Sequence, residues 1–400
     1  MSRYRLWILR VVTIGIGLTI SLVFSEIIVR IVGVNNITQP IASAGDVTGV
    51  YEFSRARHHK LVPNARFRHH EVEFDYLWIN NSLGMRDRER SLRKGAGNFR
   101  ILFLGDSMVQ GYGVPQEQTM VALLEASLNK PKRERRIEVL NGGIFGYSPF
   151  LEYLYLHEIM PLVEPDVVIV GLFLGNDVGD DYFYTQQARL DNNGAVSFEK
   201  TNWPWDYKDE LLKNGAKSVE IGVQKYPQTW VLKSHLIRLF LRLYERGKTY
   251  DQYRDYRRRE AELTLQRKDD IRVNLGLVNY PVTTKRQRVK YWEISESYLK
   301  DMHRLCQRQQ VPLIVTVIPF LEPDTVQFSV FEEPNEILKE FGKQLSIPVV
   351  FLITEFRKWP AKQLFFELDG HWNALGNSVA AETMDRELRS LNLLPSVLYN

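Results

Sequence analysis

Three residue types in this chain have the chemistry of an activated nucleophile. Ser107 sits in Gly105-Asp106-Ser107, and Asp369-Gly370-His371 lies near the other end of the chain. A serine hydroxyl becomes nucleophilic when a nearby base takes its proton. His371 can be that base. Asp369, two residues earlier, falls on the same side of an extended chain and could hold the imidazole tautomer and stabilise the imidazolium. Glu367 has the same parity and is a second candidate for the acid. Charge developing on a carbonyl oxygen needs fixed donors. The candidates are the Ser107 and Gly146 backbone N–H groups and the Asn176 side-chain amide. Together these groups fit acyl transfer from an ester. Each also has a plain structural reading: Ser107 as a turn residue, Asn176 as a strand-end cap, Gly146 as a shape requirement, His371 as a packed histidine.

The elements that must position these groups read as an alternating series. Ile101–Leu104 is strand-like and runs straight into Gly105-Asp106-Ser107. Thr119–Leu128 has helical apolar spacing. Ile137–Leu140 is a strand leading into Asn141-Gly142-Gly143-Ile144-Phe145-Gly146, a glycine-rich turn. Ser148-Pro149 is a helix start, since serine is a favoured N-cap and proline suits the first helical position. The apolar run Val167–Phe173 suits a central parallel strand and ends at Gly175-Asn176-Asp177. After a break the alternation resumes: helix 295–309, strand 313–318, helix 335–344, strand 349–352, helix 377–391. Strands alternating with helices imply an α/β fold, a parallel sheet of about five strands covered on both faces. In such a sheet, strand ends meet on one rim, so residues distant in sequence can share a site.

The organisation expected is a transmembrane anchor at 1–35, a linker and leading strand at 36–80, and a core in two halves, 81–179 and 294–400. An insertion at 180–293 separates the halves. Within the insertion, 230–244 reads as an amphipathic helix and 253–272 as a charge-rich one. From Lys233 to Lys290 there are 16 Lys and Arg against 7 Asp and Glu, a local excess of +9 in a chain of net +4. That is a solvated face, or a surface for anionic lipid or acidic polysaccharide, and it fits nucleic acid poorly. The insertion is read as a lid or wall over the site.

From Leu6 to Ser25 there are 20 residues with one charge, close to the roughly 20 that span a bilayer. Arg3, Arg5 and Arg10 predict a cytoplasmic N-terminus. Phe24-Ser25-Glu26 lacks the small-residue pattern of a cleavage site, which favours an uncleaved anchor over a signal peptide. Residues 36–400 would then lie outside the cytoplasm. Cys306 is the only cysteine, so no intrachain disulfide can form, and it reads as a buried small apolar residue. His58-His59 and His69-His70 fall in the linker-like stretch with no carboxylate at fixed spacing and are not read as metal ligands. No metal or organic cofactor is called for.

These residues resemble the SGNH, or GDSL, hydrolases, whose four blocks match in order. Gly105-Asp106-Ser107 is similar to the first block, with the nucleophile at Ser107. Asn141 to Gly146 is similar to the second, with an oxyanion glycine at Gly146. Gly175-Asn176-Asp177 is similar to the third, with an oxyanion asparagine at Asn176. Asp369 and His371 are similar to the last, as acid and base. Leu174 stands where the third block usually has a glycine, and Asp-x-His replaces the usual Asp-x-x-His. Some anchored and polysaccharide acetyltransferase-like members share this shorter form. Asn81-Ser82-Leu83-Gly84-Met85-Arg86 is similar to envelope-associated members. The resemblance covers roughly residues 80–390 without the insertion. It implies a three-layer, flavodoxin-like fold and a serine esterase of the bacterial inner membrane, single-pass, with a periplasmic domain. Its substrate would be an ester on a glycan or lipid. The alternatives are an O-acetyltransferase of envelope polysaccharide with the same triad, and an inactive anchored binding module.

Overall fold

The computed structural model describes residues 3–31, 50–70, 73–130, 136–190, 195–199, 285–319, 333–367 and 369–395, with the short strands Leu321–Glu322 and Gln327–Phe328 and isolated residues between 234 and 244. Two compact units are present, one of residues 1–44 with 219–255 and the other of 45–218 with 256–400.

In the first unit, helix α1 (Arg3–Ile31) is 29 residues long, with an 18-residue window of mean hydropathy 2.1 and no buried residue in that window. At about 1.5 Å per residue it is long and apolar enough to cross a bilayer. Near its end Glu26 pairs with Arg30 at 2.7 Å and accepts from Ser234 Oγ at 2.8 Å.

The second unit opens with two antiparallel hairpins, β1 (Tyr51–Ser54) with β2 (His58–Leu61), and β3 (Arg66–His70) with β4 (Asp75–Ile79). Residues 50–70 and 73–79 therefore are folded structure, where the sequence suggested a linker up to about residue 70. The reason is aromatic packing: Tyr51, Phe74, Tyr76 and Trp78 are buried in the main core, and Trp78 is fully covered.

The core sheet is made of β5 (Phe99–Gly105), β6 (Ile137–Gly143), β7 (Val167–Phe173), β8 (Leu313–Ile318) and β9 (Val349–Phe351). All four pairings are parallel, in the spatial order β9-β8-β7-β5-β6. Counting these strands one to five along the chain gives 2-1-3-4-5, the flavodoxin-like order. Strand alternation divides the core into two layers. Leu102, Leu104, Val168 and Val170 face α4 (Pro149–Val163), α6 (Lys285–Arg308) and α7 (Glu333–Leu345), where Cys306 is also fully buried. Ile101, Phe103, Val167 and Ile169 face α3 (Met120–Leu128) and α8 (Ala374–Ser390).

Two boundaries move. Helix α5 (Asp177–Gln187) runs past 180, and α6 begins at 285, so the core extends into both ends of the expected 180–293 insertion. Trp292 and Leu299 are buried on α6, and that burial gives the helix its place. The expected helices at 230–244 and 253–272 and the lid role fall outside the described residues, apart from a few helical positions between 236 and 244. Ser148 heads α4 as expected, yet it makes no capping bond. Asp181 of α5 takes that part, accepting from Phe150 N at 2.8 Å.

Candidate active site

Ser107 owes its position to a row of glycines. Gly105, Gly143 and Gly171 are register partners on three adjacent strands. The one-turn helix α2 (Ser107–Gln110) lies directly on this row. A methyl at 143 would stand 2.3 Å from Gln110 N, and one at 171 would stand 2.5 Å from Val109 Cγ2. Side chains there would lift the helix off the sheet. Asp106 caps the helix by accepting from Met108 N at 2.9 Å, and Gly111 ends it at φ +81°. Ser107 thus sits at the end of β5, between the ends of β6 and β7. This is the switch point of the strand order, where an open α/β sheet forms its ligand crevice.

The loop of Asp369 and His371 reaches this point from the far end of the chain. His371 Nε2 lies 2.7 Å from Ser107 Oγ, and His371 Nδ1 lies 2.6 Å from Asp369 Oδ1. Glu367 is exposed and makes no such contact; its backbone N–H binds Glu73 at 2.8 Å. The two-residue spacing works through a turn, not through extended chain. Gly370 has φ +83°, a left-handed conformation that suits glycine, and this lets one Asp369 oxygen meet both the ring and the backbone N–H of His371, the latter at 3.2 Å. Burial works to raise the Asp369 carboxyl, but charge on His371 and its two hydrogen bonds outweigh burial and leave it below the ordinary range.

The expected oxyanion groups have unequal surroundings. Gly143 N donates to Asn141 Oδ1 at 3.0 Å and Ile144 N to Gly105 O at 2.9 Å, so those donors are committed. Beyond them, Tyr147 N donates to Ile144 O at 3.0 Å and Gly146 has φ +71°. These features define a type II turn with Phe145 and Gly146 at its centre. Asn176 leads into α5 without capping it. Its amide donates to Asp180 Oδ2 at 2.7 Å, which leaves one amide hydrogen uncommitted among the described residues.

Four carboxyls on and near the Ser107 turn are buried, Asp106, Glu152, Asp177 and Asp181, and Asp180 is half-buried beside them. Burial raises all of them. Asp106 and Asp181 are each pushed up to about 6. Glu152 and Asp177 are raised well above the ordinary range through burial and then repulsion from Asp106, and Asp180 through burial and Asp181. Neither oxygen of Glu152 has a hydrogen-bond partner among the described residues.

Sequence reasoning missed the supports supplied by Glu73, Arg86 and Tyr112. Glu73 accepts from Glu367 N at 2.8 Å and Asp369 N at 2.9 Å, holding the acid–base loop at two backbone groups. Arg86, fully buried, donates to Gln110 O at 3.0 Å and also to Gly111 O and Val114 O. Its guanidinium lies over the rings of Tyr76 and Trp78. The Tyr112 ring packs at a tilt against the His371 ring at 4.6 Å and the Phe145 ring at 5.8 Å. The pattern of aromatics at alternate positions, Phe74, Tyr76 and Trp78, was the available signal that 50–79 packs on the core. Nothing local marked Glu73, because its partners are backbone groups almost 300 residues away. A cleft of about 410 Å³ opens beside this loop, lined by Glu73, Tyr76, Gly113, Gln118, Phe366 and Asn373 among others. His58-His59 and His69-His70 lie in strands β2 and β3, and no group of three or more potential metal ligands occurs among the described residues.

No protein-family model and no curated protein matches the chain. Solved structures do. The acetyl xylan esterase AlAXEase is matched at 11% identity over 72% of this chain and 100% of that one, with a TM-score of 0.37. The psychrotrophic esterase EstA from Pseudoalteromonas sp. is matched at 11% identity over 73% and 98%, with a TM-score of 0.36. A GDSL-like lipase from Bacteroides thetaiotaomicron VPI-5482 is matched at 11% identity over 76% and 93%, with a TM-score of 0.33.

Proposed function

We propose that this protein is a membrane-tethered serine esterase of the SGNH type, acting on an acetyl or acyl ester of a glycan or lipid. The observation that carries the reading is the hydrogen-bonded line from Ser107 Oγ through His371 to Asp369, with links of 2.7 and 2.6 Å, at the switch point of the sheet. Ser107 Oγ attacks the ester carbonyl carbon while its proton passes to His371 Nε2. Asp369 holds the Nδ1 proton and stabilises the imidazolium. The Ser107 and Gly146 N–H groups and the free hydrogen of Asn176 receive the oxyanion. His371 then protonates the leaving alcohol, and the acyl group stays on Ser107. Water, deprotonated by His371, attacks the acyl-enzyme, releasing the acid and restoring the serine.

Helix α1 is read as the anchor, placing the domain on the outer side of a bacterial inner membrane, with Arg3, Arg5 and Arg10 on the cytoplasmic side. The test is hydrolysis of p-nitrophenyl acetate by the full chain in detergent. The expected result is turnover that falls at least about 10³-fold in Ser107→Ala. Acetylated oligosaccharide formed in place of free acetate, with sugars supplied, would make the protein an acetyltransferase with the same machinery. A folded wild type that neither hydrolyses esters nor labels at Ser107 with a fluorophosphonate would leave a binding module.

A further inference from the structure

The type II turn that carries Gly146 has an external support. His59, fully buried in β2, places Nε2 2.8 Å from Phe145 O. A carbonyl oxygen only accepts, so Nε2 carries the proton. His59 Nδ1 lies 2.9 Å from His58 Nδ1. Burial keeps both rings neutral, pushing His58 down to about 4 and His59 well below its ordinary value. A neutral His59 protonated at Nε2 has an acceptor at Nδ1, so His58 Nδ1 must be the donor. The order is therefore fixed: His58 N–H to His59, His59 N–H to Phe145 O.

Phe145 C=O and Gly146 N–H belong to one planar trans peptide and point in opposite directions. A donor that fixes the carbonyl on the buried side fixes the N–H on the other. The alternative, a type I turn, differs by a flip of this same peptide, and would turn the Gly146 N–H inward. A hydrogen bond to the carbonyl also polarises the peptide and strengthens its N–H as a donor. Two contacts complete the support. A methyl on Gly146 would stand 3.3 Å from Tyr184 Oη, and the Tyr184 ring packs on His58 at 4.9 Å. Tyr147 Oη donates to His59 O at 2.6 Å, tying the end of the turn to the same strand.

We infer that His59 is a positioning residue for the oxyanion site: through Phe145 O it sets the aim of the Gly146 N–H. The inference rests on the reading of Gly146 as an oxyanion donor. His58 acts one step further back, donating to the His59 Nδ1 that this tautomer leaves as an acceptor.

The test uses two polar variants of the full chain in detergent. His59→Gln can present an N–H near the Nε2 position. His59→Asn can still meet His58 but is too short to reach Phe145 O. With ¹³C-carbonyl phenylalanine and ¹⁵N-glycine, only Phe145–Gly146 and Phe341–Gly342 give a correlated NMR signal, because the sequence holds two Phe–Gly pairs. The second pair is an internal control for the fold. In His59→Asn the Phe145 carbonyl signal should move, the Phe341 signal should stay, and kcat on p-nitrophenyl acetate should fall about 10²-fold with KM little changed, the scale of one lost oxyanion donor. His59→Gln should restore both. An unmoved Phe145 signal in His59→Asn would overturn the inference, as would a moved signal with unchanged kcat. If the wild type has no esterase activity, the hydrolase reading falls, and the carbonyl signal by itself still decides whether His59 holds this peptide.

Discussion

Ser107, the proposed nucleophile, and the loop of Asp369 and His371, the proposed acid and base, are held mainly by different kinds of force. Ser107 is seated by packing: its one-turn helix rests on Gly105, Gly143 and Gly171, and Val109 is fully buried against them. Asp369 and His371 are held by hydrogen bonds. Phe366 N donates to His371 O at 2.8 Å, Gly370 N donates to Phe366 O at 3.2 Å, and Glu73 takes two backbone N–H groups of the loop. Packing resists displacement in every direction, and it fails through added volume. A polar clamp fails through the loss of one acceptor. The seat should therefore respond to steric changes and the loop to isosteric ones.

The largest effect is expected from Asp369→Asn. It keeps the shape of the loop but no longer stabilises the imidazolium, so kcat should drop about 10⁴-fold with little change in the melting temperature. If Glu367 can replace it, the drop will be small. On the packing side, Gly143→Ala forces its methyl against the Gln110 backbone. It should cost about 1–3 kcal/mol in denaturant unfolding and about 10²-fold in kcat, because the seat shifts under the nucleophile. Wild-type activity in Gly143→Ala would show that the seat has slack. Glu73→Gln is isosteric and retains one acceptor for two donors. A roughly tenfold fall in kcat is expected, with unfolding little affected, and Glu73→Ala should do more. Equal losses of stability and activity in the Gln variant would place Glu73 with the packing residues.

The smallest effect on turnover, but a directional one on stability, concerns the acid beneath Ser107. Asp106 is raised from 3.8 to about 6 by burial, partly offset by the Met108 N–H bond. At pH below about 4, the folded and unfolded states are both protonated. Between about 4 and 6 the unfolded chain releases a proton that the folded chain keeps, so stability falls as pH rises. The loss is complete above about pH 6 and is on the order of 2–3 kcal/mol. Asp181 and the other raised carboxyls act in the same direction. Asp106→Asn keeps the acceptor for Met108 N, so it should flatten this part of the stability–pH curve and raise stability at pH 8. An unaltered slope in thermal melts from pH 4 to 8 would show that Asp106 ionises freely in the fold.

The sequence by itself determined the core elements and named the candidate reactive groups that the fold brings together. Val167–Phe173 and Leu313–Ile318 are near-continuous apolar runs, interrupted by Gly171 and Thr316 alone, so their identity as buried strands did not depend on context. Ser107, Asp369 and His371 were legible as candidates because few residue types suit such chemistry and each follows a recognisable break in the pattern. What only the tertiary structure decided were the interactions whose partners are backbone groups. Glu73 on Asp369 N, Arg86 on Gln110 O and His59 on Phe145 O each join a side chain to a peptide unit, and a peptide unit has no signature in the sequence. The same holds for Gly143, which reads as an ordinary turn glycine until the strands align it with Gly105 and place Gln110 on it. Residues 50–70 looked like a linker because their strands are short and rich in charge and histidine. They fold because their aromatic and histidine faces find a core that the rest of the chain supplies.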